Sequence, residues 1–274
     1  MDEIAPSPGT DPRSSTLAFF GAELRLRRKA AGLTQRELAR TLHCAPSLIC
    51  KIEAAVRAPQ EDFAERCDEA LGTDGLFSRL WPVMTHNAYP VWFRPFVELE
   101  QQAASLEMYG SVLVPGLMQT EGYARALFSA AGRKNVEELV SARMHRQRIL
   151  EREEPPRVWV VLDEGVLRRE IGSSAVMREQ LARLIEVAES PPSVVQVVPA
   201  CAGAHPGLKG AFNILRFADG PDILLQHGFH RDELLGTPEA LTEARHAYEL
   251  LRAVALAPDA SVDLIATVMR ELKQ

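Results

Sequence analysis

The residues best suited to chemistry in this sequence lie at positions 32–59, in the segment GLTQRELARTLHCAPSLICKIEAAVRAP. Its hydrophobic spacing predicts two short helices joined by a tight turn, which is the helix-turn-helix arrangement. Ile49 and Ile52 lie three residues apart and face the core of this arrangement. The opposite face of the second helix then carries Pro46, Ser47, Cys50 and Lys51. A hydroxyl and an ammonium group on an exposed helix can contact base edges and phosphates in a DNA major groove.

Other clusters of ionisable residues lack the spacing that catalysis or metal binding requires. Glu98, Glu100 and Glu107 have no His or Asp at ligand spacing, so a solvated helix face is the favoured interpretation. His227 and His230 occupy a predicted loop, where their spacing does not hold both imidazoles on one side. The chain also lacks the glycine-rich phosphate loop and the GxSxG nucleophile motif. We therefore expect no enzymatic activity, no catalytic residue, no cofactor and no bound metal.

The glycine-rich loop at residues 203–210 is a second candidate site, for a ligand or a partner protein. No helix follows it directly, which weakens the case for phosphate binding, so a mobile loop is the favoured interpretation and a ligand or partner contact is the alternative. The candidate contact residues in this loop and after the fourth predicted strand are His205, Lys209 and His227.

Capping signals set the expected helix boundaries around the first candidate site. The five predicted helices cover residues 17–31, 35–42, 46–54, 60–71 and 76–80. Gly32 ends the first helix, and Thr34 with Glu37 forms a capping box at the start of the second. Pro46 is suited to the first position of the third helix. These helices predict a small all-α domain.

The rest of the chain predicts a larger domain that contains strands as well as helices. The predicted strands cover residues 157–163, 194–199, 211–217 and 223–226, and the predicted helices cover 97–106, 121–131, 136–153, 174–189, 238–256 and 262–272. The expected fold class is an all-α helix-turn-helix N-terminal domain of five short helices, followed by a larger α+β (mixed α/β) domain. The expected boundaries are a disordered lead-in at 1–15, the helix-turn-helix domain at 16–83, a Pro- and aromatic-rich linker at 84–95 and the α+β domain at 96–274.

The distribution of charge agrees with a DNA-binding first domain. The 274-residue chain has a formal net charge of -6, which alone does not favour a DNA ligand. Residues 13–60, however, contain nine Lys or Arg against three Asp or Glu. Phosphate attraction needs a basic face and not a basic protein, although a solvated helix face gives the same count. Without an apolar bilayer-spanning run, a signal peptide or a regular cysteine framework, we expect a cytoplasmic, nucleoid-associated protein that has no membrane partner.

The first domain resembles the Xre, or Cro/lambda-repressor-like, helix-turn-helix family. The matching residues are Gly32, Leu33, Thr34, Gln35, Glu37, Leu38, Ala39, Leu42, Ile49, Ile52, Glu53 and Pro59. By position, the resemblance implies that Gln35 contacts a phosphate and braces the reading helix, and that Arg57 contacts the next phosphates. The positions that it assigns to bases or nearby backbone are Pro46, Ser47 and Lys51. It also implies a structural ion pair between Arg28 and Glu53, which belongs to the fold and not to DNA readout.

Three departures from this family pattern lie in or near the reading helix. His43 stands in the turn where Gly is usual, and His is among the non-glycine residues that tolerate a positive φ. Ala45 replaces the usual Ser or Thr cap of the third helix, a loss of about 1 kcal/mol. Because Pro46 and Cys50 replace polar residues, base readout is expected to rest on Ser47 and Lys51, with a contribution from DNA shape.

The second domain resembles the C-terminal domain of WhiJ-like regulators, an actinomycete group, over nearly all of residues 90–270. The matching segments are FVELE at 96–100, VPGLMQTE at 114–121, YARAL at 123–127, WVVLDE at 159–164, MREQL at 177–181 and AGAH at 202–205. The resemblance implies a one-component transcriptional regulator, often encoded beside a small partner protein in a toxin-antitoxin-like arrangement. His227 departs from it, because an acidic residue is expected after the fourth strand.

Two functional hypotheses follow from these features. The first is a sequence-specific transcriptional regulator that binds a double-stranded DNA operator as a homodimer through helix 46–54, while its C-terminal domain senses a partner protein or a ligand. The second is an antitoxin-like module that holds a small partner protein encoded next door, with DNA binding serving autoregulation.

Overall fold

The computed structural model describes residues 11–272, which form two compact units. The N-terminal unit contains the chain up to Pro90 together with Ala131–His145, and the C-terminal unit contains Val91–Ala130 and the chain from Arg146 onward. Residues 1–10, which make up most of the predicted lead-in, lie outside the described residues. Residues 131–145, which the sequence pattern assigns to the larger domain, thus belong to the N-terminal unit.

Five consecutive helices form most of the N-terminal unit. They are α1 (Thr16–Ala30), α2 (Gln35–Thr41), α3 (Pro46–Glu53), α4 (Glu61–Leu71) and α5 (Leu76–Ala88). Their starts and ends follow local signals. The Ser15 hydroxyl accepts the Ala18 N–H, Thr34 and Glu37 form a reciprocal capping box, and Gly72 ends α4 in the left-handed conformation. The first four helices lie within one residue of their predicted boundaries.

The fifth helix is longer than predicted, because it continues through Pro82 to Ala88. A proline inside a helix removes a hydrogen bond and costs about 3 kcal/mol. Trp81, Met84 and Ala88 recur at helical spacing and are all buried, so their packing offsets this cost. The Trp81 indole also donates to the Pro59 carbonyl oxygen at 3.1 Å. The first part of the expected linker is therefore helical.

The remaining elements include both helices and strands. In chain order they are α6 (Arg94–Glu100), β1 (Ser105–Gly110), α7 (Glu121–Ala130), α8 (Val136–Arg146), β2 (Arg157–Asp163), α9 (Glu164–Arg168), α10 (Ser174–Ala188), β3 (Val194–Val198), β4 (Phe212–Arg216), β5 (Ile223–Gln226), β6 (Glu233–Leu235), α11 (Pro238–Val254) and α12 (Pro258–Glu271). All of α8 except Arg146 lies in the N-terminal unit. None of the helices in residues 11–272 is long and apolar enough to cross a bilayer.

The described strands form one six-stranded sheet in the order β3-β2-β1-β4-β5-β6. Strands β1, β2 and β3 are mutually parallel, whereas β4, β5 and β6 are added in antiparallel fashion. One face of the sheet packs against α10 and α12, and the other packs against α11. A helical N-terminal domain followed by an α+β domain confirms the predicted fold class.

The predicted helix over residues 97–106 is correct only up to Glu100, because one of the two central strands of the sheet begins at Ser105. Helix α6 ends at Glu100, and β1 begins at Ser105. Strand β1 pairs with β2 on one side and with β4 on the other, so its backbone finds partners only far along the chain. Leu106 and Met108 face one core while Tyr109 faces the other, an alternation too short to separate from a helical pattern.

Candidate nucleic-acid interface

Helix α3 exposes the face that the sequence predicts for contacts with DNA. Ile49 and Ile52 are fully buried, which fixes the rotation of the helix on the core of the N-terminal unit. The exposed residues on the other side, which we refer to as the reading face, are Pro46, Ser47, Cys50 and Lys51. The Ser47 hydroxyl and the Lys51 ammonium group lie one helical turn apart on this face.

The turn between α2 and α3 is compact. The Cys44 N–H donates to the Ala39 carbonyl oxygen at 2.9 Å, and Ala39 itself is buried. The small Ala39 side chain lets α2 and α3 cross closely. His43 has a φ of 50°, so this non-glycine residue takes the left-handed conformation that the turn requires.

Helix α1 approaches α3 so closely at Gly21 that no side chain fits between them. A Cβ atom added to Gly21 would lie 2.4 Å from the Ile52 carbonyl oxygen and 3.2 Å from the Glu53 carbonyl oxygen. Both oxygens are backbone atoms at the end of α3, so such a contact could be relieved only by moving α1 and α3 apart. Gly21 therefore sets the distance between α1 and the reading helix.

A buried hydrogen-bonded network joins the first three helices behind the reading face. Arg28 of α1 donates twice to the Glu53 carboxylate at the end of α3, from Nε to Oε1 at 2.5 Å and from Nη2 to Oε2 at 3.0 Å. Gln35, the first residue of α2, donates from Nε2 to the same Oε2 at 2.8 Å. The Arg28 and Glu53 side chains are only 9% and 4% exposed. Hydrogen bonding to Glu53 raises the pKa of the Arg28 guanidinium, so Arg28 stays charged.

Gln35 and Arg57 flank the reading face in different ways. The amide nitrogen of Gln35 is engaged by Glu53, which gives this residue the bracing role that the family resemblance implies. Arg57 is half-buried in a segment that folds back on the end of α3, where the Val56 and Arg57 N–H groups donate to the Lys51 carbonyl oxygen at 2.8 and 3.3 Å. This fold-back holds the backbone of Arg57 beside the end of the reading face.

Helix α2 adds two exposed arginines to which the sequence interpretation gave no role. Arg36 and Arg40 lie one turn apart, on the side of α2 away from the buried Leu38. Their spacing of four residues is the signal that could have identified them. In a helix-turn-helix motif, which here is α2 and α3, the first of the two helices crosses the DNA backbone. The positions of Arg36 and Arg40 on α2 therefore suit contacts with phosphates.

Replacing Ala45 with serine should stabilise the N-terminal unit by about 1 kcal/mol. Ala45 has extended backbone angles at the start of α3 and, as predicted, makes no side-chain capping bond. A serine hydroxyl there can accept a free N–H of the first turn. Urea unfolding measures the change. The matched control is Thr34→Ala, which removes the existing cap of α2 and should shift stability by a similar amount in the opposite direction.

The second candidate site contains one buried and two surface residues. The His205 side chain is 4% exposed, with Nε2 3.6 Å from Asp163 Oδ2 and its ring against Tyr109. Lys209 is largely exposed, and its Nζ lies 2.9 Å from Glu243 Oε1. His227 Nδ1 lies 3.1 Å from Asp232 Oδ2. His205 is thus enclosed within the C-terminal unit, while Lys209 and His227 remain at its surface.

The loop that carries Lys209 borders a cleft of about 580 Å³ in the C-terminal unit. Apolar side chains of β4, β5, β6 and α11 form most of its walls, and polar groups of Lys209, Glu243 and His246 lie around it. A volume of this size suits a small organic molecule. Among the residues that the structure describes, no group of three His, Cys, Asp or Glu side chains is arranged to hold a metal ion.

An exposed third helix fixed on a five-helix core defines the class of this protein as helix-turn-helix. Residues 20–79 match the family described as a helix-turn-helix domain. Residues 93–267 match the domain of unknown function DUF5753, and the chain therefore belongs to the DUF5753 family, with a helix-turn-helix domain preceding the family domain. No curated protein and no solved structure matches the chain.

Proposed function

We propose that this protein is a sequence-specific DNA-binding transcriptional regulator and not an enzyme. The observation that supports this most directly is the reading face, an exposed side of α3 held in place by the buried network behind it. The Ser47 hydroxyl and the Lys51 ammonium group are the donors on this face that can reach base edges and phosphates. Arg36, Arg40 and Arg57 supply further positive charge for the DNA backbone.

The proposed ligand is a double-stranded operator, which the protein binds as a homodimer. Two copies of a helix-turn-helix address half-sites roughly 34 Å apart, about one turn of the duplex. We therefore expect a footprint with two-fold symmetry. Sedimentation of the protein with operator DNA measures the stoichiometry, and two chains for each operator is the expected result.

The proposed role of the C-terminal domain is to receive the signal that controls DNA binding. The resemblance to WhiJ-like regulators supports a small partner protein encoded next door, and the cleft beside Lys209 supports a small-molecule ligand. Two experiments separate these signals. In a purification from the native host, in which the protein would be cytoplasmic, co-purification of a small protein would favour the antitoxin-like function. In a ligand screen on the purified protein, a thermal shift with a small molecule would favour ligand sensing.

The Lys51→Ala variant should bind the operator more weakly and with a smaller dependence on salt. Each lost phosphate contact lowers the slope of log affinity against log salt concentration by about 0.9. Ser47→Ala should instead relax base preference, because losing a single neutral hydrogen bond to a base costs about 0.5–1.5 kcal/mol at that position only. Fluorescence anisotropy at several salt concentrations, with an operator selected from random duplexes, measures both effects.

The matched control for Lys51→Ala is Arg169→Ala, which removes an equal charge from an exposed position of the C-terminal unit away from the cleft. Its operator affinity and salt slope should equal those of the wild type. Unchanged operator binding by both Lys51→Ala and Arg57→Ala at every salt concentration would falsify the proposed function.

A further inference from the structure

The DNA-binding unit includes a segment from the middle of the DUF5753 region. Residues 131–145 lie within the matched range of 93–267, yet they belong to the N-terminal unit. The chain on both sides of this segment, up to Ala130 and from Arg146 onward, belongs to the C-terminal unit. The segment is therefore covalently attached to the C-terminal unit at both of its ends.

Glu138 of α8 caps the first helix of the DNA-binding unit. Its Oε1 accepts the Leu17 N–H at 3.0 Å, and both residues are buried. Leu17 is the second residue of α1, where the helix itself offers no acceptor for the N–H group. Ser15 satisfies the next N–H, that of Ala18. A carboxylate at this end also interacts favourably with the helix dipole.

Three other residues of the same segment contact α4, α5 and the loop that precedes α4. Ser141 Oγ donates to the Pro59 carbonyl oxygen at 3.0 Å, beside the Trp81 indole that donates to the same oxygen. Asn135 Nδ2 donates to the Ala88 carbonyl oxygen at 3.1 Å, at the end of α5. The His145 ring packs edge-on against Trp81, with a centroid distance of 4.6 Å, and its Nδ1 lies 3.5 Å from Glu61.

These contacts lead to two elements that meet the end of the reading helix. Helix α1, which Glu138 caps, carries Gly21 against the end of α3 and Arg28 against Glu53. Pro59, which Ser141 holds, lies two residues after Arg57 in the segment that folds back on α3. A displacement of residues 131–145 would therefore act on α1 and on the Arg57 segment together.

We propose that residues 131–145 are the element through which the C-terminal domain acts on DNA binding, with Glu138 and Ser141 as its positioning residues. This inference rests on the proposed function, because it assigns a control to the same reading face. It also gives a role to the assignment of a helix within the DUF5753 region to the N-terminal unit.

The test compares Glu138→Ala with Glu138→Gln in the full chain. Glu138→Ala should lower operator affinity about tenfold, since tenfold corresponds to about 1.4 kcal/mol, the scale of one hydrogen bond to a charged group. Glu138→Gln keeps an oxygen acceptor for Leu17 and should recover most of the loss. Affinity for non-specific DNA should change much less, because it depends on charge and not on helix position. Hydrogen exchange at the start of α1 should accelerate in the alanine variant alone.

The matched control is Glu65→Ala, which removes an equal charge from an exposed position on α4 of the same unit. If Glu138→Ala does not fold, Ser141→Ala is tested in its place. This variant removes only the hydroxyl bond to Pro59, and we expect the same loss of operator affinity relative to non-specific DNA. If Glu138→Ala has the same operator affinity and the same exchange rate at the start of α1 as Glu65→Ala, the inference is overturned but the proposed function is not. A wild-type chain that selects no operator would instead overturn the proposed function, and the inference with it.

Discussion

Replacing Glu53 with alanine should lower the free energy of unfolding of the N-terminal unit by about 3–5 kcal/mol. The change leaves the Arg28 guanidinium buried without its carboxylate and removes the acceptor of the Gln35 amide. Breaking a buried pair from one side is costly because the remaining charge has lost both water and its partner. Urea unfolding followed by circular dichroism gives the difference from the wild type.

Two controls separate the buried network from a general effect of charge. Glu65→Ala removes an exposed carboxylate from α4 and should change stability by less than about 0.5 kcal/mol. The double variant Arg28→Met with Glu53→Leu replaces both partners by apolar side chains and should recover much of the loss, since no charge remains buried. A cost for Glu53→Ala no larger than the roughly 1 kcal/mol of a surface ion pair would contradict this account of the network.

Replacing Gly21 with alanine should destabilise the N-terminal unit by about 1–3 kcal/mol, the usual cost of overpacking, and should also weaken operator binding. Alanine normally stabilises a helix interior by about 1 kcal/mol relative to glycine, so the expected sign is opposite to helix propensity. The reason is the 2.4 Å separation between an added Cβ atom and the Ile52 carbonyl oxygen. Because Ile52 belongs to α3, relief of this contact displaces the reading face relative to α1.

Thermal unfolding and operator anisotropy, the latter corrected for the active fraction, measure the two consequences of Gly21→Ala. The matched control is Gly122→Ala in α7, where an added Cβ atom would meet its nearest neighbour at 3.5 Å, an ordinary contact distance. This control should leave operator affinity unchanged. A Gly21→Ala variant as stable as the wild type and with full operator affinity would show that α1 does not set the position of α3.

The helix-turn-helix could be predicted from sequence because its signals act over a few residues. Thr34 and Glu37 close the capping box within one turn, and Pro46 marks the start of α3. The spacing of Ile49 and Ile52 identifies the buried side and, by difference, the reading face. The same local reasoning predicted that Ala45 leaves α3 without a side-chain cap, which the structure confirms.

The larger domain was predictable where a single strand is apolar enough to be recognised without its partners. Strands β2 and β3 are runs of buried valines and were predicted almost to the residue. Strand β1 contains Glu107 and is separated by only four residues, 101–104, from the end of a helix, so its sequence does not distinguish it from more helix. Its strand conformation depends on pairing with β2 and β4, which come much later in the chain.

Local sequence was thus sufficient for the first four helices of the N-terminal domain, the exposed residues of α3 and the excess of positive charge around them. The folded chain was needed to show that Glu53 binds Gln35 as well as Arg28, that His205 is buried, and that α8 completes the N-terminal unit. The physical reason is distance along the chain. Caps and periodicity join residues within about one helical turn, whereas the Gln35–Glu53 and Leu17–Glu138 bonds join residues 18 and 121 positions apart, whose meeting depends on the packing of the whole unit.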